Sequence, residues 1–286
     1  MGRMDERKEF EVGGKDRKLS PEEQLEQLST YIAAHYERPA MNPPWSDSPT
    51  DPLVLDTYDA RLADRITHAS MLMLGSALDH TTPGVAFSDG VTTEDVPNGQ
   101  IIHPARPTGV WGISLHPGGW WKGSGAALEN AWRPEVAAVA NLSGITFLDL
   151  DYPLLPDHTV SDAIDSVRRA AQWVRSMDPP RLVAWGYSSG AALAALTSDL
   201  WDAQALTFPH LTLDYLPTHL CDAEFPQVFP PTFLQVATQD SVADRYPWAE
   251  AQSQVKEYVS EHRIATPEVM RERVKDVADF LVISNT

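Results

Sequence analysis

Gly186-Tyr187-Ser188-Ser189-Gly190 matches the pattern G-x-S-x-G, and no other stretch of the chain does. It sits between an apolar run, Leu182 to Trp185, and a helix-forming run, Ala191 to Leu196. A serine on a sharp strand-to-helix turn projects its hydroxyl as a nucleophile. Glycines on either side let strand and helix approach closely, because they carry no Cβ. The start of the helix favours negative charge developing beside it. The chemistry implied is attack by Ser188 on a carbonyl; the bland alternative is an idle serine on a glycine-rich turn.

Acyl transfer also needs donors aimed at a tetrahedral oxyanion. His116-Pro117-Gly118-Gly119-Trp120-Trp121-Lys122-Gly123-Ser124 follows the apolar run Val110 to Leu115 and can supply them. The amides of Gly118 and Gly119 are the expected donors, with the Ser189 N–H as a third. Pro117 has no N–H and only shapes the loop. Trp120 and Trp121 either wall a substrate pocket or pack the core, and Tyr187 is grouped with the pocket. His116 precedes the nucleophile and is read as a residue that orients the loop through backbone hydrogen bonds.

For a serine in this setting the acid and then the base follow in chain order. His210, His219 and His262 come after Ser188. The acid is expected just beyond a strand, and Asp240 stands after the apolar run Thr232 to Ala237, with Asp244 as substitute. Only His262 follows Asp240, just past a further strand-like run, Val255 to Val259. Asp240 would hold the imidazole and His262 would take the Ser188 proton. The alternatives are an Asp that only shapes its turn and a structural or solvated His.

The elements that must hold these residues can be read in outline. Residues 1–18 read as a flexible polar tail. Ser20-Pro21-Glu22-Glu23 starts a helix, with Leu25, Leu28 and Ile32 as its apolar stripe. Pro39 to Pro52 reads as a linker, and a second helical stretch runs from about Leu53 to Leu78. Val91–Val96 and Gln100–Ile102 read as a hairpin turning at Asn98-Gly99. Strands are expected at 110–115, 145–148, 181–185, 205–211, 232–237 and 255–259. Helical spacing marks 160–174, the run after Ser189, and Met270 to Leu281. Alternating strands and helices predict a mostly parallel sheet with an antiparallel edge. Residues 1–83 are expected to form a tail and helical cap segment, and 84–286 an α/β catalytic core.

Together these pieces resemble the α/β-hydrolase superfamily. Within it they look most like hormone-sensitive-lipase-like esterases and the related acetyl-esterase and kynurenine-formamidase-like groups. The resemblance covers roughly residues 91–286. The loop from His116 is similar to that group's His-Gly-Gly-Gly-Trp loop, with Pro117 in place of the first glycine. Gly118 and Gly119 match the family's two donor glycines. Asp149-Leu150-Asp151-Tyr152-Pro153 through Asp157-His158 resembles an Asp-Tyr-Arg-Leu-Ala-Pro-Glu-His stretch, with Pro153 in place of Arg. Ser260-Glu261-His262-Arg263 departs from the family's Gly-His-Gly-Phe around its base. The resemblance implies an α/β-hydrolase fold, hydrolysis of a small carboxylic ester, and an N-terminal helical segment capping the site.

The chain has 286 residues and a formal net charge of -18. Such an acidic surface repels phosphate backbones, so nucleic acid is not an expected partner. No apolar run approaches the length of a membrane span. Residues 1–18 lack the apolar centre of a secretory signal. The single cysteine, Cys221, forbids an intrachain disulfide and fits a cytoplasmic location. There is no metal-ligand spacing, phosphate loop or dinucleotide fingerprint, and the chemistry needs no cofactor. The expected partner is a small-molecule ester, with a homodimer left open. Three rivals remain: an acyltransferase using the same triad, a hydrolase acting on an aryl-formamide or peptide, and a non-catalytic binding protein of the same fold.

Overall fold

The computed structural model describes residues 19–283. The expected polar tail, 1–18, lies outside them. Eight strands form one sheet in the order β1-β2-β4-β3-β5-β6-β7-β8. They are β1 (Thr92–Val96), β2 (Gly99–His103), β3 (Trp111–Leu115), β4 (Thr146–Leu150), β5 (Leu182–Tyr187), β6 (Ala203–Thr207), β7 (Thr232–Ala237) and β8 (Gln254–Tyr258). The pairings β1/β2 and β2/β4 are antiparallel, and the remaining ones are parallel. β6 begins two residues earlier than its sequence pattern suggests and ends at Thr207.

The opening hairpin turns one residue earlier than expected. Val96 pairs with Gly99, so the two-residue loop is Pro97-Asn98, and Asn98 takes the positive φ of 60°. Asparagine tolerates that region. Gly99 serves a different purpose: a Cβ there would lie 2.3 Å from the Asp149 carbonyl oxygen on β4. It is a close-approach glycine within the strand pair.

Helices cover both faces of the sheet. On one face α6 (Val160–Arg175) and α7 (Ser189–Leu196) pack over Leu148, Leu150, Leu182 and Ala184. On the other, α5 (Arg133–Ser143) and α9 (Pro267–Ile283) pack over Phe147, Val183 and Trp185. Adjacent residues of β4 and of β5 thus feed opposite cores, as the two-residue strand period requires. A capping box starts α6, with Thr159 and Asp162 bonding each other's backbone amides.

The N-terminal helices are α1 (Pro21–His35), α2 (Pro52–Ala60) and α3 (Leu62–Met73). The single helical stretch expected from 53 to 78 is broken at Arg61 and ends at Met73. Leu28, Ile32, Tyr58, Leu62, Ile66 and Ala69 form a small core with Ala265 and Met270. That core seats the three helices beside the start of α9. Short helices α4 (Pro83–Phe87) and α8 (Pro247–Glu250) complete the chain. No helix among the described residues is long and apolar enough to cross a membrane.

Candidate active site

The connection leaving β3 runs to β4 on one side, and the one leaving β5 runs to β6 on the other. Chain direction therefore diverges between the carboxyl ends of β3 and β5, where open α/β sheets place their ligands. The His116 loop and the Ser188 turn both emerge there. Gly186 and Gly190 explain how they fit. A Cβ on Gly186 would lie 2.3 Å from the Gly190 carbonyl oxygen, and one on Gly190 would lie 2.1 Å from that of Leu115. The turn between them holds Ser188 at φ 55° and ψ -116°, a strained conformation for a residue with a Cβ. The Ser188 N–H donates to the Thr207 carbonyl of β6 at 2.9 Å, which pins the turn.

Ser188 Oγ lies 2.9 Å from His262 Nε2, and His262 Nδ1 lies 2.7 Å from Asp240 Oδ2. With Nδ1–H donating to the carboxylate, Nε2 is the acceptor for the serine hydroxyl. The other Asp240 oxygen accepts the amides of Val242 and Ala243 at 2.7 and 2.8 Å. The aspartate thus shapes its turn and holds the imidazole at once. Burial works to raise its pKa, but the His262 hydrogen bond and charge and the two amides outweigh that and hold it below the ordinary value. His262 is held below its ordinary 6.5, chiefly because burial disfavours the imidazolium; Asp240 pulls the other way. The backbone of His262 is anchored as well, since the Tyr187 hydroxyl donates to its carbonyl. Burial pushes the Tyr187 hydroxyl up to about 12, which keeps it a donor. Neither His210 nor Asp244 takes part in this hydrogen-bonded relay.

The glycine loop that follows His116 is folded tightly back on itself. Gly118 has φ 151°, and a Cβ there would lie 1.6 Å from the Lys122 carbonyl oxygen. The Gly119 N–H departs from the expectation of a free donor: it donates to Ser189 Oγ at 2.9 Å. The hydroxyl of the residue after Ser188 thus occupies one of the three expected donors. The Ser189 N–H belongs to the first turn of α7, where amides have no intrahelical partner. His116 donates from Nδ1 to the Pro117 carbonyl at 2.9 Å and stacks on Tyr152, with centroids 4.2 Å apart. The Tyr152 hydroxyl in turn donates to the His116 carbonyl at 2.8 Å.

The cavity beside His262 has a volume of about 100 Å³. Gly118, Tyr187, His262 and Lys122 line it, together with Leu62 and Ile66 from α3. Ser188 is not among its lining residues. Neither are Trp120 and Trp121, which corrects their assignment to the pocket. Trp120 is fully buried in the core with Leu115, Leu150 and Tyr152, and Trp121 is buried too. Trp120 adopts φ 76°, and its burial in the core gains apolar contact.

Two charged groups of the cavity wall carry no motif in the sequence. Asp59 of α2 accepts from Lys122, beside the oxyanion loop, and from Arg263, next to His262. Arg273 of α9 donates to both oxygens of Glu135 of α5 at 2.7 Å, and its guanidinium rests 5.2 Å from the Tyr187 ring centroid. Among the described residues no group of three or more His, Cys, Asp or Glu side chains is placed to hold a metal ion.

A family model described as alpha/beta hydrolase fold matches residues 113–283, more than half of the chain. The chain belongs to that family. Among solved structures it is similar to an esterase/lipase from an uncultured bacterium, at 17% identity and a TM-score of 0.65, covering 93% of this chain and 99% of that one. It is also similar to an esterase from the bacterial hormone-sensitive lipase family, at 14% identity and 0.60, covering 94% and 100%. An esterase from Pyrobaculum calidifontis matches at 17% identity and 0.60, covering 82% and 93%. At these identities the likeness is one of fold. The family match covers the Ser188 turn, Asp240 and His262, and the similar structures extend across the N-terminal helices. No curated protein matches the chain.

Proposed function

We propose that the protein is a serine hydrolase of small carboxylic esters. The single observation that carries this reading is the hydrogen-bonded relay from Asp240 through His262 to Ser188. Ser188 Oγ attacks the ester carbonyl while His262 Nε2 takes its proton. The Gly118 and Ser189 amides hold the oxyanion, joined by Gly119 once it leaves the Ser189 hydroxyl. The tetrahedral intermediate collapses, the alcohol leaves with the proton from His262, and an acyl-enzyme remains. Water, deprotonated by the same imidazole, then releases the acid. The small cavity favours short acyl or alcohol groups. The helices between residues 19 and 83 act as the cap, closing the cavity with α2 and α3. The similar structures, esterases and an esterase/lipase, agree with this reading. The lone Cys221 suits a reducing compartment, and we place the protein in the cytoplasm.

The test is a panel of p-nitrophenyl esters from acetyl to palmitoyl, run with wild type and Ser188→Ala. Short-chain esters should be turned over best. Ser188→Ala should lose activity by about 10⁴-fold or more. Turnover that survives the substitution removes Ser188 as nucleophile.

A further inference from the structure

The cavity beside His262 holds a surplus of positive charge in a protein with a deficit of it. Its wall carries Lys122, Arg263 and Arg273 against Asp59 and Glu135, an excess of one cation with His262 neutral. The whole chain, by contrast, has a net charge of -18. Arg273 and Glu135 neutralise each other through two hydrogen bonds. That leaves Lys122 and Arg263 sharing one carboxylate, Asp59, with one oxygen each. Asp59 is the only carboxylate within ion-pair distance of either among the described residues. The Lys122 side chain is 2% exposed and that of Arg263 19%, so water compensates them poorly. Exposed Arg38 adds a further positive charge from outside, which draws on Asp59 first and on Glu261 more weakly. Asp56, behind Lys122, is a second carboxylate in its electrostatic reach, but its hydrogen bond comes from the Ala127 amide and not from Lys122.

A buried cation without a full counter-charge is costly. Lys122 has three N–H donors and Arg263 five, so both can serve Asp59 and a second acceptor. An excess of one positive charge matches one carboxylate better than a dianion. Arg263 follows His262 directly, and Lys122 closes the loop that carries Gly118, so an anion held by this pair lies next to the reacting groups.

We propose that the substrate is a small ester that bears a free carboxylate, and that Lys122 and Arg263 bind it. This rests on the hydrolase reading above. The pair then sets specificity, while Asp59 positions both cations.

The experiment compares isosteric pairs by pH-stat titration. Monoethyl glutarate against ethyl 5-methylhexanoate tests a carboxylate on the acyl side. 4-Acetoxybutanoate against 4-methylpentyl acetate tests one on the alcohol side. In one pair the anion should show at least a tenfold higher kcat/KM than its neutral isostere. Lys122→Met and Arg263→Gln should each cut that ratio at least tenfold. If Lys122→Met does not fold, the wild-type ratio and Arg263→Gln decide. Preference for the neutral ester in both pairs, or a ratio that neither variant moves, overturns the carboxylate site and leaves the hydrolase standing. No turnover of any of the four esters, with no labelling of Ser188 by a fluorophosphonate, overturns both.

Discussion

In the proposed mechanism the imidazole of His262 must be neutral to accept the Ser188 proton, and burial favours that form. Its pKa lies below 6.5, so kcat/KM on a neutral ester should fall as pH drops through a midpoint below that value. The same shift acts on stability. A histidine depressed in the folded state takes up its proton more readily when unfolded, so acidification below 6.5 also destabilises the fold. Far-UV circular dichroism at each pH separates the two effects. Asp240 raises the His262 pKa and orients the ring. Asp240→Asn should therefore lower kcat by about 10⁴-fold and move the remaining acid limb to still lower pH. An acid limb above 6.5 in the wild type would contradict the burial argument. At this scale the sequence was informative where one backbone geometry demands specific residue types, as Gly186 and Gly190 do. It marked the Gly119 amide as a donor but not its partner, because the Ser189 hydroxyl that takes it is 70 residues away.

Helices α5 and α9 meet through a buried ion pair, and that pair supports the site. Arg273 reaches across to Glu135, lies over Tyr187, and Tyr187 holds the His262 carbonyl. Glu135→Gln leaves the Arg273 guanidinium buried without a full counter-charge. It should destabilise the protein by about 3–5 kcal/mol, read from urea unfolding. An effect below about 1 kcal/mol would mean that water or another acid replaces the carboxylate. Helix α5 itself has no clear signature in the sequence. Pro134 sits in the first turn of α5, where a missing N–H costs nothing. A π-helical turn, Leu128–Trp132, leads into it and disturbs the apolar spacing. α6 shows the opposite case: Val160, Ala163, Val167, Ala171 and Val174 mark its buried face in the sequence as in the structure.

For the molecule as a whole, the N-terminal helices are joined to the hydrolase core by an apolar cluster and by two carboxylates of α2, Asp56 and Asp59. Leu62 and Ile66 wall the cavity, and Asp59 ties the oxyanion loop to the segment after His262. A chain beginning at residue 84 should melt at a lower temperature and lose at least tenfold in kcat/KM. Removal uncovers Ala265 and Met270 and strips Lys122 and Arg263 of their partner. Differential scanning calorimetry and ester hydrolysis check this, and undiminished activity would refute the cap. Of these helices α1 was legible from its cap and apolar stripe, whereas the break at Arg61 was not, because α2 and α3 fit a surface assembled from distant segments.

The sequence by itself determined the strand-and-helix order, the serine turn and the glycine loop, because each depends on local backbone demands: a two-residue period, a positive φ, a missing Cβ. Only the tertiary structure decided that Trp120 packs the core, that Ser189 occupies the Gly119 amide, and that Asp59 gathers two cations beside His262. Those outcomes depend on burial and charge balance between residues as far as 204 positions apart, and such distances leave no periodic trace along the chain.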